Sequence, residues 1–176
     1  MKEKLTKIIA STGLFIGGIF GIAGSFASSD SLRSLCWGLD GIGLIVAGAL
    51  LVVYYFRKGS DGAAVGFLIF TIGEALILSS SAINLDANVS SFGAGTALWG
   101  ASLFLISSQK EFPLLVRCIG FIASLLFAVV SIQIFLAYPL NALTKPLPFY
   151  AYPFFAATLF GWAWKLLKTP SLSQSQ

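Results

Sequence analysis

Six apolar stretches of roughly 20 residues, at 8–27, 35–56, 62–83, 89–107, 113–137 and 149–167, follow one another with only short polar gaps between them. A helix rises about 1.5 Å per residue, so each stretch is long enough to cross the roughly 30 Å of hydrocarbon in a bilayer, whereas buried strands are far shorter. Hydrocarbon offers the backbone no hydrogen bonds, and a helix satisfies its own. The gaps reach about a dozen residues at most, a length that makes consecutive helices antiparallel neighbours. The expected fold is therefore all-α, a polytopic transmembrane bundle of six helices arranged as three hairpins, forming one domain over 1–168 with a polar tail at 169–176. Charged residues make up 10% of the chain, against ~25% in soluble domains, and no gap leaves room for a soluble catalytic module.

The basic residues set the expected orientation. Lys2, Lys4, Lys7, Arg57, Lys58, Lys110, Lys165 and Lys168 fall on one side of a six-span arrangement, with Arg117 just inside the membrane on that side, while Arg33 and Lys145 face the other. The heavily basic side is cytoplasmic by the positive-inside rule, which places both termini in the cytoplasm and the protein in the inner (plasma) membrane. The net charge of +4 follows from this topology and calls for no nucleic-acid partner; the expected partner is the lipid bilayer. The N-terminus also has the marks of a signal peptide, with Lys2, Lys4 and Lys7 ahead of an apolar stretch and Ser25-Phe26-Ala27 as a cleavage-like site, and its removal would leave five spans. The stretch from Ile8 is long enough to span, so six spans are expected.

A weak internal repeat links the first two hairpins. Gly43 to Gly48 and Gly95 to Gly100 share a spacing, and Gly17 to Asp30 aligns with Gly73 to Asp86, whereas the third hairpin follows the pattern poorly. With these glycine-rich hairpins the chain resembles the HdeD-like family of small bacterial six-helix membrane proteins, most clearly over Gly21-Ile22-Ala23-Gly24 and Gly41-Ile42-Gly43-Leu44-Ile45-Val46-Ala47-Gly48. The resemblance implies the six-helix architecture and a role in stress or acid tolerance. It carries over no catalytic residue.

Aromatic residues gather near the span ends. Tyr54, Tyr55, Phe56, Trp162 and Trp164 are expected at the cytoplasmic boundary and Trp37, Tyr138, Tyr150 and Tyr152 at the other, where an apolar ring with a polar tip suits the headgroup zone. Trp99 lies near mid-span, where its indole N–H needs an acceptor from another helix. Cys36 and Cys118 are expected on opposite membrane faces, too far apart to form a disulfide, and read as small buried residues. Pro139, Pro146 and Pro148 keep the last outer loop from becoming helical, which makes that loop the one segment suited to act as a lid or a docking surface, and Pro153 falls within the first turns of the sixth span.

The costliest side chain is Glu74, in the middle of the third stretch. An ionised carboxylate in hydrocarbon costs several kcal/mol, of order 2.5–3.5 on insertion scales, so it needs a partner, a proton or a task. Counted from the outer span ends, Asp40 lies roughly 8 Å deep and Glu74 roughly 14 Å, which lets two carboxyls on neighbouring helices meet. Two carboxyls that close cannot both ionise cheaply, and the pair is a candidate proton or ion site with Asp40 at the mouth and Glu74 deeper. Gln133, Asn84, Trp99 and Ser79 to Ser81, with Ser80 the central one, are the supporting polar groups at similar depth. The competing reading makes Glu74 a packing residue that hydrogen-bonds a neighbouring helix. Arg117 is about 12 Å along the bundle from Glu74 and is expected to reach for the cytoplasmic headgroups.

Gly13, Gly17, Gly21 and Gly24 form a stripe that lets another helix approach closely, within the chain or in a second copy as a homo-oligomer. The chain has no histidine, and with no nucleophile elbow or phosphate loop it lacks the parts for metal, haem, hydrolytic or nucleotide-driven chemistry. No cofactor, metal or catalytic residue is expected. Three functions remain: a non-enzymatic, transporter-like or stress-related membrane protein with a titrating carboxyl, a structural subunit of a larger membrane complex, and, behind both, an intramembrane enzyme.

Overall fold

The computed structural model describes residues 3–81, 89–138 and 140–169. Six helices carry nearly all of them: α1 Glu3–Ser25, α2 Asp30–Arg57, α3 Asp61–Ser81, α4 Val89–Ser108, α5 Leu114–Phe135 and α6 Tyr152–Lys168. The bundle is all-α, and α1 to α5 are each long and apolar enough to cross a membrane. α6 has 17 residues, about 25 Å of helix, and belongs to the same bundle. Its expected span begins at 149, but the chain stays in turns through Ala151 and Pro153 falls at the start of the helix, where a missing N–H costs least.

Each helix packs on its neighbours in sequence and α6 returns to α1, so the six close into a ring. Aromatic side chains fill its centre, bridging helices that are not adjacent around the ring. Trp162 of α6 meets Phe67 of α3 edge-on at 5.1 Å between ring centroids, and Phe155 of α6 stacks on Trp99 of α4 at 4.4 Å. Trp162 is 1% exposed. It is therefore a core residue and not the boundary anchor expected from its place in the sequence. Tyr54, Tyr55 and Trp37 are likewise buried, while Phe56, Trp164, Tyr138 and Tyr150 keep the exposure an anchor needs. A position near a span end does not reveal which side of the helix faces the ring.

Outward-facing side chains are apolar along whole helices, as with Leu39, Ile42, Val46 and Val53 on α2 and Leu115, Ile122, Leu125 and Ile132 on α5. A surface of this kind is solvated by lipid and is a liability in water. Among the described residues, many buried hydroxyls bond back to their own helix, as Ser80 does to the Ile77 carbonyl and Thr96 to that of Gly93. A few cross between helices: Ser124 Oγ donates to the Gly100 carbonyl at 2.7 Å and Ser11 Oγ to that of Ala163 at 3.3 Å.

The glycine stripe of α1 is spent inside the ring. A Cβ at Gly13 would press on the Gly43 carbonyl, one at Gly17 on Leu44 and one at Gly24 on Trp37, so the stripe seats α2. The second hairpin has an equivalent approach, where Cβ atoms on Gly73 or Gly95 would stand 3.2 and 3.1 Å from the carbonyl of the other. In the third hairpin Gly161 faces Val116 and Gly120 faces Ser107 and Thr158. That lack of a glycine-on-glycine contact accounts for its poor fit to the repeat.

Arg117 is half-buried and tied to α4. Its Nε donates to the Ser107 carbonyl in the last turn of α4 at 2.7 Å, where unpaired carbonyls and the helix dipole favour a cation. Lys7 is also tied in: 4% exposed, it pairs with Glu3 at 2.9 Å and donates to the Thr169 carbonyl at 2.8 Å, linking α1 to the end of α6.

Candidate functional site

α2 supplies the first acid of the site. Ser29 accepts a hydrogen bond from the Leu32 amide and caps the helix, so α2 starts five residues before the apolar stretch and its first turn is polar. Asp40 consequently sits ten residues into α2, about 15 Å along it. Glu74 is seven residues from the end of α3, about 10 Å. Measured from the helix ends, the order of depth expected from the apolar stretches is reversed, because the helices do not begin where the apolar residues do.

The two acids meet. Asp40 is 6% and Glu74 1% exposed, and both line one cavity. Tyr152, in the first turn of α6, donates its hydroxyl to Asp40 Oδ2 at 3.1 Å. The Trp99 indole is turned toward Glu74 but falls short of a well-formed hydrogen bond. Asp40 Oδ1 and Glu74 Oε2 are buried with no hydrogen-bond partner among the described residues, and neither acid has a basic partner there. Trp37, on the same face of α2 one turn from Asp40, closes the wall and donates Nε1 to the Gly21 carbonyl at 3.4 Å.

Gly21 makes this arrangement sterically feasible. A Cβ there would fall on the Tyr152 hydroxyl and stand 2.8 Å from Asp40 Oδ2. The last loop then covers the site, with Ala142 and Pro148 at the cavity wall and Phe149 packed edge-on against Phe26 of the α1–α2 turn at 5.5 Å. It therefore lies over the end of the bundle. Pro139 and Asn84 are outside the described residues. Gln133 is half-buried on α5 and does not line the cavity, and neither does Ser80, which bonds its own helix.

The cavity measures about 40 Å³, room for a few water molecules and for no organic substrate. Two carboxyls, a phenol and an indole can hold and pass a proton through water. The sequence missed Tyr152 and Trp37 as site residues, because tyrosine and tryptophan near span ends ordinarily mark the headgroup zone. The one available signal was Gly21, whose missing side chain leaves space at the depth of Asp40.

No family model matches this chain, and no curated protein or solved structure matches it.

Proposed function

We propose that this chain is a small multi-pass membrane protein that binds and releases a proton at the Asp40–Glu74 pair, in a transporter-like or stress-related role, and that no step of its work is enzymatic. One observation carries the reading: two almost wholly buried carboxyls share a water-sized cavity with one oxygen of each unpartnered. A pair that served packing alone would place its oxygens on donors, since an unpaired buried polar atom costs about 1–3 kcal/mol. Isolated acids inside a membrane are functional by default on the same reasoning. The proton would enter from the end that the last loop covers. Below the pair, Phe67, Phe70 and Trp162 occupy the bundle centre, so release on the opposite side would require that aromatic layer to move. The excess of basic residues at the opposite end supports the same reading, with the covered end outside and both termini in the cytoplasm of a bacterial inner membrane. The three-hairpin architecture fits membership of the HdeD-like family.

A second reading draws on the Asp40–Tyr152 hydrogen bond, which joins α2 to α6 and so serves the assembly of the bundle. Infrared difference spectroscopy of the purified protein during a pH step separates the two. A carboxyl C=O band should titrate in the native protein and be altered in Glu74→Gln and Asp40→Asn. A native protein with no titrating carboxyl band, or variants that leave it unchanged, would sink the proton reading. If Glu74→Gln is silent while Glu74→Leu prevents accumulation, the pair serves packing.

A further inference from the structure

At the end of the bundle opposite the carboxyl pair, a cavity of about 510 Å³ opens between the end of α2, the α4–α5 turn and the end of α6. Its wall carries Arg57, Lys58 and Lys165 against a single acid, Glu111. Among the described residues none of these four forms an ion pair, although they face one space. Its floor is unusual as well. Tyr54 and Tyr55 are 6% and 3% exposed, yet neither hydroxyl donates a hydrogen bond to a described residue. Buried phenols ordinarily find an acceptor, and both of these line the cavity. Packing holds both rings rigid, Tyr55 by stacking on Phe67 at 5.4 Å and Tyr54 by an edge contact with Tyr55 at 5.0 Å.

We propose that this cavity binds a phosphate group, the headgroup of an anionic phospholipid in the adjoining leaflet. The fit is chemical on each count. A phosphate accepts from the Arg57 guanidinium, from both ammonium groups and from the two phenols, matching an excess of donors with an excess of acceptors. The volume is that of a small-ligand site. Basic pockets between transmembrane helices at the cytoplasmic boundary are where anionic headgroups are held. The outward faces of the helices around this end are apolar, as at Leu114, Leu115 and Leu167, and give the acyl chains of such a lipid an apolar track. A soluble phosphate compound would share the headgroup contacts but not this apolar track.

The test uses the full chain in a neutral detergent. Unfolding is followed by tryptophan fluorescence during titration with phosphatidylglycerol, with phosphatidylcholine of the same acyl chains, and with inorganic phosphate. Phosphatidylglycerol should raise the unfolding midpoint and phosphatidylcholine should not. In the triple variant Arg57→Gln, Lys58→Gln, Lys165→Gln, apparent affinity should fall on the order of 100-fold, from the attraction lost with three cations. Arg57 and Lys58 are exposed, so the fold tolerates their replacement. Tyr54→Phe with Tyr55→Phe is the second variant, which keeps the rings and removes only the hydroxyls, and it should weaken the same binding. A matching shift with inorganic phosphate supports the phosphate site and overturns the lipid as its occupant. Equal responses to the two lipids, or an undiminished response to phosphatidylglycerol in both variants, overturn the site itself.

Discussion

Gly21→Ala adds one methyl group at the point where α1, α2 and α6 come together. That Cβ would fall on the Tyr152 hydroxyl and stand 2.8 Å from Asp40 Oδ2. Tyr152 opens α6, so its ring can retreat only by giving up Asp40 or by displacing the helix end. Overpacking of a tight site costs about 1–3 kcal/mol, and losing a hydrogen bond between membrane helices costs about 0.5–1.5 kcal/mol more. Replacing glycine by alanine in a helix returns about 1 kcal/mol. The expected net loss is about 2 kcal/mol. Gly38→Ala is the internal control: a Cβ there meets nothing within 4 Å, so only the helix term remains and stability should rise by up to ~1 kcal/mol. Equilibrium unfolding of both variants in mixed micelles reads the difference. A cycle with Tyr152→Phe sharpens it, because that background has already lost the bond to Asp40, and the cost of Gly21→Ala should shrink by about 1 kcal/mol. If Gly21→Ala unfolds like Gly38→Ala, or costs the same with and without the Tyr152 hydroxyl, the argument that Gly21 makes room for the site is wrong.

Two further outcomes can be checked independently. Cys36 is 7% exposed and should resist maleimide until the protein is denatured, whereas Cys118 is exposed on the lipid-facing side of α5 and should react with a membrane-permeant maleimide in the folded protein; rapid labelling of Cys36 would contradict the packing of α2. Lys7→Met keeps the apolar stem but removes the donor to the Thr169 carbonyl and the partner of Glu3, so unfolding in mixed micelles should show a loss of about 1–3 kcal/mol, against little change for the exposed Lys4→Met.

The acids illustrate what a linear reading can and cannot do. Glu74 and Asp40 stood out in the sequence because charge in hydrocarbon is costly wherever it points, and helix rise alone put them at comparable depth. Their companions did not stand out. Gln133 and Ser80 have suitable depth and polarity but occupy other helix faces, whereas Tyr152 and Trp37 looked like boundary aromatics and turn inward. Arg117 is expected from the sequence to reach for the headgroups, and its Nε, like Lys7 Nζ, donates to a carbonyl at a helix end, where those groups lack partners of their own.

By itself, the sequence determined the six helices, their alternating direction and the membrane as solvent, because these follow from the length and apolarity of each stretch and from connections too short to allow anything else. Which face of each helix looks inward was left to the tertiary structure. Hydrophobic periodicity reports facing only when one side meets water and the other a core, and here lipid and core are equally apolar. The closed ring, its aromatic centre, the meeting of Asp40 with Tyr152 in the cavity that Glu74 also lines and the basic cavity at the far end all depend on that choice. It was made by side-chain volume: glycines where helices touch, and tryptophan and phenylalanine where the ring would otherwise be empty.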